Sequence, residues 1–386
     1  MIPYGRQDID QSDIDAVIEV LRSDFLTQGP TIPAFEKVVA HYCGAKHAVA
    51  VNSATSALHI ACLALGVGRG DVVWTSPITF VASANCARYC GAEVDFVDID
   101  PSTFNMSAEC LRSKLENAQK TGKLPKVVIP VHLCGQSCDM SAIHELSKKY
   151  GFRIIEDASH AIGGKYHGKP VGNCSCSDIT VFSFHPVKII TTAEGGMAVT
   201  NDAKLAAHMA RLRTHGITRN PAEMTGEPDG PWYYQQIELG FNYRLTDMQA
   251  VLGLSQMKRL DKFVAARHAI AKRYRESFAG LPITVQHQPA DVHCAFHLYV
   301  IRLQLSKIRK THREVFKALL AAGIGVNLHY IPVYRQPYHA RSEIQPTLFP
   351  EAERYYSEAI SIPMYAGLNE EVQHRVIAGL KQVISA

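Results

Sequence analysis

Between residues 48 and 200 the chain sets seven short apolar runs, at 48–51, 72–75, 93–97, 126–131, 153–156, 179–184 and 196–200, with helical spacing in the stretches between them. A short apolar run without polar alternation suits a strand buried on both faces, and strands alternating with helices build a mostly parallel sheet covered by helices. The pattern therefore predicts an α/β unit whose site residues lie at strand ends and in the loops that follow. Residues 8–26 have helical spacing, and Thr27-Gln-Gly-Pro30 is a turn able to bring backbone near a ligand. A long helix is expected over 246–278, leading to a smaller α+β part with strands at 295–303 and 324–328. Residues 219–232, rich in proline, glycine and charge, read as a mobile loop. At 386 residues the chain exceeds the size at which a single core stops growing. The expected division is a large domain over 1–250, whose N-terminal segment contacts the substrate, and a smaller one over 251–386.

One lysine, Lys188, lies in the apolar segment Val181-Phe-Ser-Phe-His-Pro-Val-Lys-Ile-Ile190. Burial disfavours an ammonium ion, and a neutral amine condenses with an aldehyde to form a Schiff base. The aldehyde most often held this way is pyridoxal 5'-phosphate (PLP), which also needs an acidic partner for its ring nitrogen and a phosphate cradle. Upstream, Phe152-Arg-Ile-Ile-Glu-Asp157 ends a strand-like run in carboxylates, and Asp157 is the candidate ring partner. Asp157 alone would also suit a helix N-cap. His160 could bond the cofactor's phenolic oxygen or be a satisfied buried histidine. The segment Ala48-Val-Ala-Val-Asn-Ser-Ala-Thr-Ser-Ala-Leu-His59 reads as strand, small polar turn and helix start, which points free amides and hydroxyls at an anion. Thr55 and Ser56 are the candidate phosphate ligands, although helices also begin with such residues merely as caps. Ser183 joins them if the chain turns at Pro186; on a straight strand it would face away from Lys188.

The ordered segments Asn52-Ser-Ala-Thr-Ser-Ala-Leu58, Pro77-Ile-Thr-Phe80, Glu156-Asp-Ala-Ser-His160, Ser183-Phe-His-Pro-Val-Lys188 and Gly240-Phe-Asn-Tyr-Arg-Leu245 resemble the DegT/StrS sugar aminotransferases over essentially the whole chain. That resemblance implies the PLP-dependent transferase fold of type I, with a large domain around a mostly parallel sheet and a smaller C-terminal α+β domain. It implies Lys188 as the Schiff-base lysine, Asp157 as the ring partner, Phe80 stacked on the cofactor, and Thr55, Ser56 and Ser183 on its phosphate. Asn242 would reach the phosphate in a neighbouring subunit, making a homodimer with shared active sites. Tyr4, Asp24, Phe25, Leu26, Thr27, Ala54, His329, Tyr330, Ile331 and Pro332 resemble sugar-nucleotide contacts, joined by Ser183 and Asn242. Within the family, Phe25-Leu-Thr-Gln-Gly29, Gly230-Pro-Trp-Tyr-Tyr234 and His329-Tyr-Ile-Pro332 are most similar to members that move an amino group from L-glutamate to the 4-keto group of a UDP-linked 4-keto-6-deoxy sugar in pseudaminic acid synthesis. The chain departs from the family at Ala193, where glycine is common, and at His160, where many members carry glutamine.

A formal charge of +4 gives no basis for a nucleic-acid partner, and the densest basic group, Arg302, Lys307, Arg309, Lys310 and Arg313, reads as solvated surface. No apolar run is long enough to span a membrane and the N-terminus lacks signal-peptide order, so a soluble cytoplasmic protein is expected. Ten cysteines in so long a chain read as reduced thiols; Cys134 with Cys138 and Cys174 with Cys176 lack the spacing of a zinc site. Two alternatives remain at this level. A PLP-dependent sugar dehydratase of the same fold would be expected to replace Lys188 by histidine, and a non-catalytic relative would be expected to lose parts of the constellation.

Overall fold

A computed structural model describes residues 1–340 and 344–385. Seven strands form the central sheet: β1 (His47–Val51), β2 (Val72–Thr75), β3 (Glu93–Phe96), β4 (Val127–Ile129), β5 (Arg153–Asp157), β6 (Ile179–Ser183) and β7 (Gly196–Thr200). Each falls within two residues of its expected run. Their order is β1-β7-β6-β5-β4-β2-β3. Only β7 runs against its neighbours β1 and β6; the pairings from β6 through β5, β4 and β2 to β3 are parallel. The strands are mostly apolar because helices cover both faces; β5 departs from this where it ends in Glu156 and Asp157. Leu58 and Ile60 of α3 (Ala54–Ala64) pack with Val181 and Ala198 on one side, while Phe35 of α2 (Thr31–Cys43) packs with Phe182 and Phe184 on the other.

A second, antiparallel sheet orders β8 (Ile283–Val285), β9 (Tyr299–Leu303) and β10 (Ala359–Ile362) around a separate core that includes Ile301, Leu319 and Leu380. Several expectations are corrected here. The helix over 246–278 is two, α4 (Asp247–Met257) and α5 (Leu260–Ser277). No glycine or proline marks the break; Arg259 sits in it and ion-pairs with Asp8, Asp10 and Asp13 of the N-terminal segment. Helix α1 spans only Gln11–Leu21, since the Asp10 side chain caps its start and the chain turns after Arg22. Of 295–303 only the latter part is strand, because Phe296 adopts a left-handed φ of 50°. Residues 324–328 make isolated bridges, Ile324 to Ile2 and Asn327 to Ser361, and a Cβ on Gly325 would stand 2.6 Å from the Ile2 carbonyl oxygen. Arg302 is buried rather than solvated, paired with Glu358 and donating to the Pro101 carbonyl. Among the described residues no helix is long and apolar enough to cross a membrane.

Candidate active site

A cavity of about 930 Å³ opens at the carboxyl ends of β1, β5 and β6. Its walls include Tyr4, Ala54, Thr55, Ser56, Phe80, Asp157, His160, Ser183, Lys188, His329 and Tyr330. Strand β6 ends at Ser183 and the next residues turn, the Lys188 amide donating to the His185 carbonyl at 2.9 Å. The turn around Pro186 thus brings Ser183 and Lys188 into one cavity. Burial depresses the Lys188 amine to about 8, against the upward pull of the Asp157 charge. Asp157 is the last residue of β5 and is buried. Its Oδ2 accepts from Ser83 Oγ at 2.6 Å and its Oδ1 from the Ser159 amide at 3.1 Å. Turns follow it, so Asp157 caps no α-helix.

The anion cradle is the start of α3. Ser53 is the N-cap and accepts from the Ser56 amide; the Ser56 hydroxyl donates to Asn52 Oδ1 at 2.6 Å. Ser56 is therefore occupied by the turn, which leaves the Thr55 hydroxyl and the first amides of the helix turned to the cavity end. Gly196 packs so closely there that a Cβ would stand 2.5 Å from the Ala54 nitrogen. Only glycine permits that approach. Beyond Lys188 lies a histidine group: His160 Nε2 is 3.1 Å from the Tyr330 hydroxyl, and the His160 and His297 rings are 4.3 Å apart. Burial holds both imidazoles well below the usual range and His329 at about 3, with the Lys188 charge adding to it in each case. Nδ1 of His160 and of His297 has no partner.

A depressed amine, a buried carboxylate, a glycine-walled amide cradle and an orphaned buried nitrogen in one cavity fit PLP. Lys188 could hold its aldehyde carbon, Asp157 its ring nitrogen, and Thr55 with Ser183 its phosphate. Phe80 stays 58% exposed, its ring 6.2 Å from that of Tyr330, so it stands at the mouth rather than in the floor.

Other residues of the expected set lie elsewhere. Asp24, Phe25, Leu26 and Thr27 are exposed and outside the cavity, where Thr27 bridges Thr246 and the Asp247 amide donates to the Leu26 carbonyl. Asn242 is exposed as well, its carbonyl accepting from Asn52 at 3.5 Å. Ile331 and Pro332 leave the wall after Tyr330. Two residues escaped the sequence reading, His297 and Ser83. His297 precedes the apolar run of β9 and Ser83 follows the Phe80 segment, signals too common to stand out. Ala193 adopts φ 66°, a left-handed conformation that costs a non-glycine residue about 1–2 kcal/mol.

The model of the DegT/DnrJ/EryC1/StrS aminotransferase family matches residues 7–381. The chain is 39% identical over 373 residues to the UDP-4-amino-4,6-dideoxy-N-acetyl-beta-L-altrosamine transaminase of Campylobacter jejuni, covering 96% of this chain and 94% of that protein. It is 38% identical over 379 residues to the GDP-perosamine synthase of Caulobacter vibrioides, covering 97% and 96%. Among solved structures, Helicobacter pylori PseC, an aminotransferase involved in the biosynthesis of pseudoaminic acid, superposes with a TM-score of 0.90 at 30% identity, covering 100% of this chain and 99% of that one. The chain belongs to the DegT/DnrJ/EryC1/StrS family and is a PLP-dependent sugar aminotransferase.

Proposed function

We propose that this aminotransferase moves the amino group of L-glutamate to the 4-keto carbon of a nucleotide-linked 4-keto-6-deoxy sugar, UDP-4-keto-6-deoxy-N-acetyl-β-L-altrosamine in pseudaminic acid biosynthesis, and that it works in the cytoplasm. The observation that carries the amino-transfer reading is Lys188, a buried amine lowered to about 8 in the same cavity as buried Asp157. When bound, PLP supplies an electron sink that lets the hydrogen on the donor's alpha carbon leave as a proton. Lys188 would tether the cofactor and, as a neutral amine, would carry that proton from the donor's alpha carbon to the cofactor's aldehyde carbon across the intervening nitrogen. Asp157 keeps the ring nitrogen protonated; its own orientation is fixed by Ser83 and the Ser159 amide. The α3 amides, Thr55 and Ser183 would hold the phosphate, with Ser56 stiffening the turn through Asn52. His160 would meet the phenolic oxygen, and Phe80, at the mouth, would cover a ring face. Tyr4, Ala54, His329 and Tyr330 border the space left for the sugar nucleotide.

The UDP reading draws on the Campylobacter relative, and the equal likeness to GDP-perosamine synthase supports a second, a GDP-linked sugar. Initial rates with glutamate and a UDP-linked 4-keto-6-deoxy-N-acetylhexosamine, against GDP- and dTDP-linked 4-keto-6-deoxyhexoses, separate them. The UDP sugar should give the highest kcat/KM; a higher value for the GDP sugar overturns the first reading in favour of the second.

The active unit on this reading is a two-fold homodimer, in which Asn242 completes the neighbour's phosphate site and residues 24–27 and 331–332 face the neighbour's substrate. The exposed apolar side chains of Phe25 and Leu26 support it. Mixing decides. Lys188→Ala and Asn242→Trp chains, each inactive alone, should regain activity as heterodimers, because both lesions then fall in one site and the other is intact. Heterodimers confirmed by mass that stay inactive would refute the shared site.

A further inference from the structure

Among the described residues the Lys188 nitrogen has one side-chain neighbour within hydrogen-bond reach, His297 Nε2 at 3.5 Å. His297 is fully buried, and its backbone is held from several sides. The Arg267 guanidinium, itself buried, donates to the carbonyls of Phe296 at 3.0 Å, His297 at 3.2 Å and Met364 at 3.1 Å. The Ala295 amide donates to the Gly135 carbonyl, and a Cβ on Gly135 would stand 2.9 Å from the Phe296 nitrogen. Between these anchors Phe296 keeps its left-handed φ of 50°. Strained backbone pinned on both sides, with a buried arginine spent on backbone carbonyls, is the signature of a side chain that must be aimed.

The geometry points to His297 as the positioning residue for Lys188: a neutral imidazole whose Nε2 accepts a hydrogen bond from the lysine nitrogen, fixing that nitrogen between the two carbons across which it carries the proton. Burial keeps the ring uncharged, and the charges of Lys188 and Arg267 push the same way. An uncharged ring has one bare nitrogen. With Nε2 as that nitrogen, Nδ1 carries the hydrogen, and it is Nδ1 that lacks a partner. The acceptor matters most after proton abstraction, when an ammonium ion would otherwise stand desolvated in the cavity. The charged and titratable groups around that ammonium are Asp157, His160, His297 and His329. His160 donates or accepts at Tyr330 and His329 is engaged by Ser361 and Asn327, which leaves His297 to serve Lys188.

The inference rests on Lys188 being the base, and the test reads the two separately. His297→Met and His297→Gln have nearly the same shape but only glutamine retains an acceptor. In the cofactor-free protein, labelling of Lys188 by an amine-directed trinitrobenzene sulfonate, followed by peptide mass against pH, gives the midpoint of the amine. His297→Met should lower it by about one to two pH units, the worth of a hydrogen bond to a charged group. His297→Gln should restore most of that shift. In the loaded enzyme, the glutamate half-reaction of His297→Met should slow by about 10-fold or more. The effect should carry a larger isotope effect for glutamate deuterated at the alpha carbon, with KM for glutamate little changed, and again recover in His297→Gln. An unmoved midpoint, or a glutamine variant as impaired as the methionine one, overturns the proposal. An active Lys188→Ala enzyme would instead sink the reading of Lys188 itself. Should His297→Met fail to fold, ring-¹⁵N spectra of the wild type decide, the His297 signals being identified by their loss in His297→Gln: a protonated Nε2 at neutral pH overturns the proposal, and a bare one upholds it.

Discussion

Strand β5 ends in two adjacent carboxylates that face opposite sides of the sheet and meet histidines of opposite character. Glu156 closes a network. Its Oε2 is 2.7 Å from His132 Nε2, its Oε1 accepts from Ser177 and Thr180, and the Cys138 amide donates to His132 Nδ1 at 3.1 Å. Asp157 looks into the cavity, where His160 and His297 each leave a buried Nδ1 unbonded. Buried polar groups are mostly satisfied, so the closed network around Glu156 reads as structural, while the two unbonded ring nitrogens beside Asp157 lie where a bound group could partner them. Burial alone does not distinguish the two; unmade bonds do so only together with a place on the cavity wall, since Arg259 Nε and Tyr299 OH are unbonded away from it.

The strongest way to break this contrast is on the open side. Lys188→Ala should leave the circular dichroism spectrum and melting temperature close to wild type, abolish the visible absorption of lysine-bound PLP and lower transamination by at least about 10³-fold, since tether and base disappear together. Near-normal turnover would remove Lys188 from the chemistry. Asp157→Asn should come next. It keeps the Ser83 and Ser159 contacts in outline and much of the cofactor, but an amide cannot hold the ring nitrogen protonated, and kcat should fall by about 10²-fold or more. An Asp157→Asn enzyme working at the wild-type rate would make Asp157 a purely structural carboxylate.

The closed side should respond in stability. His132→Leu leaves Glu156 buried without its ring partner and should cost about 3–5 kcal/mol in urea unfolding. His160→Leu deletes a ring whose Nδ1 is already unsatisfied, and should cost about 1 kcal/mol or less while still damaging turnover. Equal losses of stability at the two sites would show that the unmade bonds of His160 carry no functional meaning.

Much of this arrangement is legible in the sequence, and the remainder is illegible for definite reasons. The seven strands of the central sheet declare themselves because a strand covered on both faces is mostly apolar, and Lys188 stands out in the apolar stretch that follows β6. The turn at Pro186 is legible too, since proline ends the strand that would have separated Ser183 from Lys188. What the sequence hides is tertiary. The break between α4 and α5 depends on Arg259 meeting aspartates some 250 positions earlier in the chain. His297 reaches Lys188 across 109 residues, through a backbone bend at Phe296 that no local propensity requires. Arg302 sits in a basic cluster on paper and in the core in space, because Glu358 and the Pro101 carbonyl lie where its guanidinium ends. Phe25 and Asn242 carry family motifs yet lie outside the cavity, a placement that motif spacing does not reveal.

The smallest expected effect separates the sugar end of the cavity from the cofactor end. Tyr4 lines the wall with its ring 5.3 Å from that of His329, whose Nδ1 is 2.8 Å from Ser361 Oγ and whose Nε2 is 3.4 Å from Asn327 Nδ2. His329 is thus held on both nitrogens, like His132, although it borders the open cavity. On the proposed reading it presents a fixed wall, with Tyr4 as the adaptable contact. Tyr4→Phe should raise KM for the nucleotide sugar by about 5- to 20-fold, the worth of one hydrogen bond in a binding pocket. It should leave the half-reaction with glutamate unchanged. Burial, with the Lys188 charge, keeps the His329 pKa at about 3, so the ring stays neutral through the working range and the KM effect should be the same at pH 6.5 and pH 8.5. Equal damage to both half-reactions would place Tyr4 at the cofactor, and a KM effect that grows as pH falls would mean that His329 takes up a proton in the working range.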